Sequence, residues 1–160
     1  MPVGVVLTET PLALDTDVLT DWRYQRPTTS KAISEYIARA KRPPALTAIT
    51  VFEALYGFEN KAAKAASLDN RTIEDRVKME QLIRACPVLP FDQAAAAIAA
   101  YIFPRLSKSD QNKHWRDILI AATVLAHGHG IATRNKRDFE LIATNLPTNN
   151  QLLRLCVWKD

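Results

Sequence analysis

The chain has 160 residues, 48% hydrophobic and 24% charged, a balance that suits a soluble globular domain with a core of its own. A net charge of +4 and a pI of 9.2 favour an anionic partner, and the interspersed signs exclude a polybasic tail. No apolar run reaches the roughly 20 residues of a membrane helix, and Met1 to Leu7 lacks the basic residues of a secretory signal, so a cytoplasmic protein is expected, with no membrane partner.

Residues 1–10 read as an extension whose structure the sequence leaves open, and the whole of 1–160 reads as one domain. Leu12-Ala13-Leu14 is a short apolar run that runs into Asp15-Thr16-Asp17, the pattern of a buried strand ending in carboxylates. Asp17 is placed to cap a helix to about Tyr24, residues 25–30 read as a loop, and Lys31–Ala40 reads as a second helix stopped by Pro43-Pro44. Ala45-Leu46-Thr47 is the next strand. Thr50 then opens a helix through Phe52, Tyr56 and Phe58, and Asn70–Arg84 forms another. Val88-Leu89 is a strand cut short by flanking prolines, and Asp92 caps an alanine-rich helix to about Leu106. The polar residues 107–113 read as a loop, and Trp115–His127, apolar nearly all round, reads as a central buried helix. Gly128 and Gly130 end it before a strand at Ile131-Ala132-Thr133, a short helix at Phe139–Ala143, and a closing strand within Leu153–Val157. Strands alternating with helices predict a three-layer α/β/α domain around a short, mostly parallel sheet of four or five strands.

Four acids stand just beyond strand ends or on the central helix, and each has two readings. Asp15 belongs to a run of three good capping side chains, so a cap and a ligand are both open for it. Thr50-Val-Phe-Glu53 matches a capping box, yet it also lies in the first turn after a strand, where Glu53 can project over the same edge. Asp117 has Ile120, Ala121 and Val124 as its helical neighbours, which a solvated face does not explain; the helix N-terminus favours a charge there by only about 0.3–1 kcal/mol. Asp138 follows Thr133-Arg134-Asn135-Lys136-Arg137 and reads either as a cap of the last helix or as a fourth acid. Carboxylates brought to one edge repel one another unless a cation sits among them, and hard oxygen donors select Mg2+ or Mn2+ over zinc. A cluster of this kind suits phosphodiester hydrolysis.

The blocks Leu14-Asp15-Thr16-Asp17, Thr47 to Gly57 around Glu53, Asp117 to Thr123, and Ala132 to Phe139 resemble PIN-domain ribonucleases, most nearly the VapC-type toxins of toxin–antitoxin pairs. The resemblance runs from about Leu12 to Phe139. It implies a metal-dependent endoribonuclease acting on tRNA or another structured RNA. It also implies Asp15, Glu53 and Asp117 as metal ligands, and a weaker fourth role for Asp138, because Asn135 stands at the other position where relatives place an acid. Asp17 departs from the family, which more often has asparagine there. Thr16, Thr133 and Asn135 rank second as ligand or water contacts, and Arg116, Arg134, Lys136 and Arg137 as phosphate contacts or ordinary surface cations. Relatives of this kind dimerise and are silenced by a small antitoxin lying across the active-site groove, for which Phe52, Tyr56 and Phe58 are candidate lining. Cys86 and Cys156, which form no Cys-x-x-Cys pair, and His114, His127 and His129 read as structural or surface groups.

Three rival readings remain. A haloacid-dehalogenase-like phosphatase would use Asp15-Thr-Asp17 as its nucleophile motif, but none of the four glycines precedes an Asp. A non-catalytic module that binds RNA or a partner gains nothing from a negative cluster. A Rossmann-like nucleotide binder needs a glycine-rich loop after the first strand, and none is there.

Overall fold

The computed structural model describes residues 10–146 and 155–158; the expected extension, apart from Thr10, lies outside them. The strands are β1 (Leu12–Leu14), β2 (Leu46–Thr47), β3 (Val88–Leu89), β4 (Gly130–Thr133) and β5 (Leu155–Val157). β1 pairs with β4 and β4 with β5, while β2 pairs with β3, all parallel. Leu14 N donates to Ala45 O at 2.9 Å and Ala45 N to Leu12 O at 2.8 Å, which joins the two groups. The order across the sheet is therefore β3-β2-β1-β4-β5. Successive strands step outward from β1 as far as β3, and the chain then crosses back to β1's other side. That reversal makes the β1/β4 junction the switch point, where loops diverge and leave a crevice beyond the carboxyl ends of the strands.

The two faces of the sheet follow from the period of two along each strand. Ala13, Ala45 and Ile131 point to one side and pack with Ile102, Ile118, Ala121, Phe139 and Ile142. Leu14, Leu46 and Ala132 point to the other and pack with Val18, Ile33, Phe58 and Met79. Helices α5 (Gln93–Ile102), α6 (Lys108–Ala126) and α7 (Lys136–Ala143) supply the first layer; α1 (Thr16–Arg23), α2 (Pro27–Ala40), α3 (Ala48–Lys64) and α4 (Asn70–Ala85) supply the second. This is the expected three-layer α/β/α arrangement with five parallel strands.

Several boundaries differ from the sequence reading, each for a local reason. Asp15, not Asp17, is the N-cap of α1: its carboxylate accepts from Thr16 N at 2.8 Å, while Asp17 is exposed in the first turn. α2 starts at Pro27, whose missing N–H is no loss at a first helical position. α3 is capped one turn early, by Thr47 accepting from Thr50 N at 3.1 Å, so Thr50 and Glu53 form no capping box. Residues 108–113 are helix rather than loop: Ser107 accepts from Asp110 N at 3.1 Å and opens α6 seven residues before Trp115. α7 opens at Lys136 behind Asn135, so Asp138 lies in its first turn and is not its cap. Pro104 falls in a short 3-10 turn, Phe103–Arg105, that closes α5. The last strand is described over Leu155–Val157, and residues 153 and 154 of the expected strand lie outside the described residues.

Candidate active site

The crevice beyond β1 and β4 collects acids from four elements. Asp15 leaves the end of β1 and is 5% exposed. One of its oxygens holds Thr16 N, and the other accepts from the Thr133 hydroxyl at 2.8 Å, across from the end of β4. Thr133 Oγ1 in turn accepts from Asn135 N at 2.9 Å, which ties the loop after β4 to the same carboxylate. Asp15 is thus both a cap and a member of the crevice.

Glu53 enters from α3. The earlier cap at Thr47 places it in the helix's second turn, free of any reach back to the cap amide. Its Oε1 accepts from the Thr16 hydroxyl at 3.0 Å, and Arg116 Nε stands 4.0 Å from its Oε2. Asp117 comes from the third turn of α6, too far along the helix for the N-terminal dipole to help it. Asp138 comes from the first turn of α7 and accepts from the side-chain amide of Asn135. The two residues that competed for the fourth position are therefore hydrogen-bonded to each other, with Asp138 carrying the charge.

The electrostatics agree with a crowded acidic crevice. Burial raises the Asp15 carboxyl to about 6, against the lowering effect of its Thr133 and Thr16 hydrogen bonds, with Asp17 and Glu53 adding to the rise. Asp117 is pushed up to about 7, first by burial and then by the charges of Asp15, Asp138, Glu53 and Asp17. Glu53 is also raised, chiefly by burial, with the Thr16 hydrogen bond and Arg116 working in the other direction. Exposed Asp17, the position that departs from the family's more usual asparagine, thus adds its field to the cluster. The donor set is carboxylate oxygen, with Asp15, Glu53 and Asp138 oriented by hydroxyls and amides. Such a set fits a hard divalent cation, whose charge reverses the repulsion that now favours the protonated forms.

One neighbour, read from the sequence as a structural or surface group, lies against the acids. His114, 4% exposed, places Nδ1 at 3.7 Å from Asp117 Oδ2 and 3.5 Å from Asp138 Oδ2. The signal was present as a histidine three residues before Asp117, but a helix begun at Trp115 hides it. Each of the other histidines sets a ring nitrogen against a backbone carbonyl. His127 Nε2 stands 3.0 Å from Pro90 O, and His129 Nδ1 stands 2.7 Å from His127 O. Of the four candidate phosphate contacts, Arg116 reaches the crevice and also lies over the Trp115 ring at 4.7 Å. Arg134 pairs with Asp21 at 3.1 Å, Lys136 with Glu140 at 3.4 Å, and Arg137 is exposed on α7. Phe58 belongs to the core, whereas Phe52 and Tyr56 are half-exposed and stacked with ring centroids 5.7 Å apart. Cys86 is buried, and burial pushes its thiol up to about 11, which suits an inert core group.

The family model of the PIN domain matches residues 12–145, a span that contains all four acids. The chain belongs to the PIN domain family. This PIN domain is 33% identical over 131 residues to a VapC ribonuclease of Sinorhizobium fredii, covering 81% of the present chain and 90% of that one. Its backbone is similar to the crystal structure of VapBC2 from Rickettsia felis bound to a promoter DNA fragment. The TM-score is 0.65 and the identity 16%, over 92% of this chain and 98% of the other. A structure of VapBC-5 from Mycobacterium tuberculosis, a member of the VapBC family of toxin–antitoxin systems, gives a TM-score of 0.61 at 19% identity, covering 95% and 100%. At those identities the two structures speak to the fold. No helix among the described residues of this PIN domain is long and apolar enough to cross a membrane.

Proposed function

We propose that this PIN domain is a divalent-metal-dependent endoribonuclease, the toxin partner of a toxin–antitoxin pair, acting on tRNA or another structured RNA. The observation that carries the reading is the meeting of Asp15, Glu53, Asp117 and Asp138 at the sheet's switch point, where burial and neighbouring carboxylates raise Asp15 to about 6 and Asp117 to about 7. The 33% identity to a VapC ribonuclease supports RNA as the substrate.

In this reading Asp15, Glu53 and Asp117 hold Mg2+ or Mn2+, with Asp138 as a fourth oxygen donor. When bound, the ion supplies an activated water and stabilises the leaving oxygen. The protein's own residues prepare that chemistry. Thr133 and the Thr16 backbone fix both oxygens of Asp15, and the Thr16 hydroxyl orients Glu53, so neither acid has to be immobilised at the moment of reaction. Arg116, 45% exposed at the rim, is placed to take a phosphate. RNA in this crevice needs no covalent nucleophile, which separates the reading from a phosphatase that forms an aspartyl-phosphate on Asp15. A small antitoxin covers the crevice, with the exposed Phe52–Tyr56 pair beside Glu53 as part of its footing, and the toxin acts as a homodimer.

The test is incubation of the pure protein with structured and single-stranded RNA, with and without Mg2+ or Mn2+. Asp15→Asn and Asp117→Asn each lower cleavage by more than about 100-fold, beyond the 10–100-fold typical of changes that only adjust a ligand's surroundings. Cleavage that survives either substitution, or survives chelation, overturns the assignment.

A further inference from the structure

The all-oxygen reading leaves one buried donor without a role. His114 sits on α6 one turn before Asp117, between exposed Lys113 and Trp115, yet is itself 4% exposed. Its Nδ1 faces Asp117 Oδ2 at 3.7 Å and Asp138 Oδ2 at 3.5 Å. Neither separation is that of a hydrogen bond, which for N–H···O falls at about 2.7–3.2 Å. Both approach the edge of a coordination polyhedron. Ligands about 2.0–2.2 Å from one ion stand about 2.8–3.6 Å apart, from right-angled to tetrahedral arrangements. One ligand atom from each of the three residues lies within 4.8 Å of the others. A core histidine that was merely satisfied would turn a ring nitrogen onto a carbonyl, as His129 does onto His127 O at 2.7 Å. His114 instead presents a nitrogen to two carboxylates at once.

We infer that His114 is a nitrogen ligand which, with Asp117 and Asp138, makes this a mixed nitrogen–oxygen site that favours first-row transition dications over Mg2+. The inference rests on the reading of the acids as metal ligands and adds the type of donor. Imidazole raises affinity for transition ions, whereas carboxylate and water suit Mg2+ as well as Mn2+. The same nitrogen does little for Mg2+, which prefers oxygen and keeps its own waters.

The experiment uses the full chain stripped of metal and titrated separately with Mn2+, Co2+ and Mg2+. Binding is followed calorimetrically and, for Mn2+, by pulsed electron paramagnetic resonance. Nitrogen hyperfine coupling is expected on bound Mn2+ in the unaltered protein, an observation that needs no variant to fold. His114→Ala and His114→Gln, each checked for native circular dichroism, abolish that coupling. They weaken Mn2+ and Co2+ by about tenfold or more, the scale of changes around a metal site, and leave Mg2+ within about twofold. Bound Mn2+ without nitrogen coupling, or equal losses for all three ions, overturns the inference and makes His114 a counter-ion to the two acids. Metal-dependent RNA cleavage would then still stand. If no divalent ion binds the unaltered protein, both readings fail together.

Discussion

Two regions of this molecule treat the same side chains in opposite ways. Between α1, α3 and α4, acids meet cations at contact distance: Arg23 reaches Asp75 at 2.8 Å, and Arg76 reaches Glu59 at 2.7 Å and Glu80 at 3.1 Å. At the β1/β4 edge, four acids converge, and among the described residues the basic side chains beside them are Arg116, 4.0 Å from Glu53, and the His114 imidazole, 3.5 Å from Asp138. The first region stabilises its charges within the chain. The second leaves its acids with fewer partners, and burial and mutual repulsion raise Asp15 and Asp117. The difference teaches that a carboxylate's role lies in whether the fold has already answered its charge.

The most severe way to break the comparison is to make the first region resemble the second. The Arg23 side chain is 6% exposed, lies over the Tyr24 ring at 3.7 Å, and carries a buried Nε with no hydrogen-bond partner. Asp75 is therefore its main electrostatic support. Asp75→Ala leaves a buried guanidinium unanswered and should cost on the order of 3–5 kcal/mol of stability, measured by urea unfolding. Replacing Arg23 and Asp75 together by apolar residues should recover most of that loss, because the cost comes from the orphaned charge. A loss from Asp75→Ala as small as that of an exposed pair would show that solvent already screens Arg23, and the contrast with the acidic edge would collapse.

A second effect sharpens the other side. In metal-free protein Asp15 and Asp117 rise from 3.8 to about 6 and about 7, so from about pH 4 to about pH 7 the native state binds more protons than the unfolded chain. Stability therefore falls as pH rises through that window, by up to about 1.4 kcal/mol per pH unit for each of the two carboxyls, and their contribution is flat again above it. Melting temperatures across this range read the slope directly. Saturating Mn2+ or Mg2+ should reverse it, because a bound cation favours the ionised forms. A metal-free protein that instead gains stability over this window would place its acids in a paired environment.

How much of this contrast the sequence discloses varies by element. The strands were legible because 12–14 and 131–133 are short apolar runs bounded by turns and carboxylates, and the three-layer arrangement followed from their alternation with helices. The acids were legible as a set because each lies just past a strand end or on the apolar central helix. Residues 107–113 were not, because a helix exposed on most sides looks as polar as a loop; only the Ser107 cap and buried His114 mark it. That one boundary hid the i, i+3 relation between His114 and Asp117. The capping box at Thr50 misled in a similar way: Thr47 is an equally good cap three residues earlier, and the strand ending there decided between them. Asp15 shows the limit of choosing between a cap and a ligand, since its two oxygens serve Thr16 N and Thr133 separately.

The smallest expected effect tests whether contact distance alone is what matters. Arg76 touches two acids, Glu59 and Glu80, but it does so in water: the side chains are 31%, 61% and 37% exposed. Exposed pairs gain little, since solvent screens them and holding long side chains in place costs entropy. Arg76→Ala should leave the melting temperature unchanged within error, and raising salt should have no more effect on the unaltered protein than on the variant. If Arg76→Ala instead approached the loss from Asp75→Ala, short distance would count regardless of burial, and the acidic edge would owe its character to geometry alone. Equal distances with unequal consequences would place the cause in burial, the same property that raises Asp15 and Asp117.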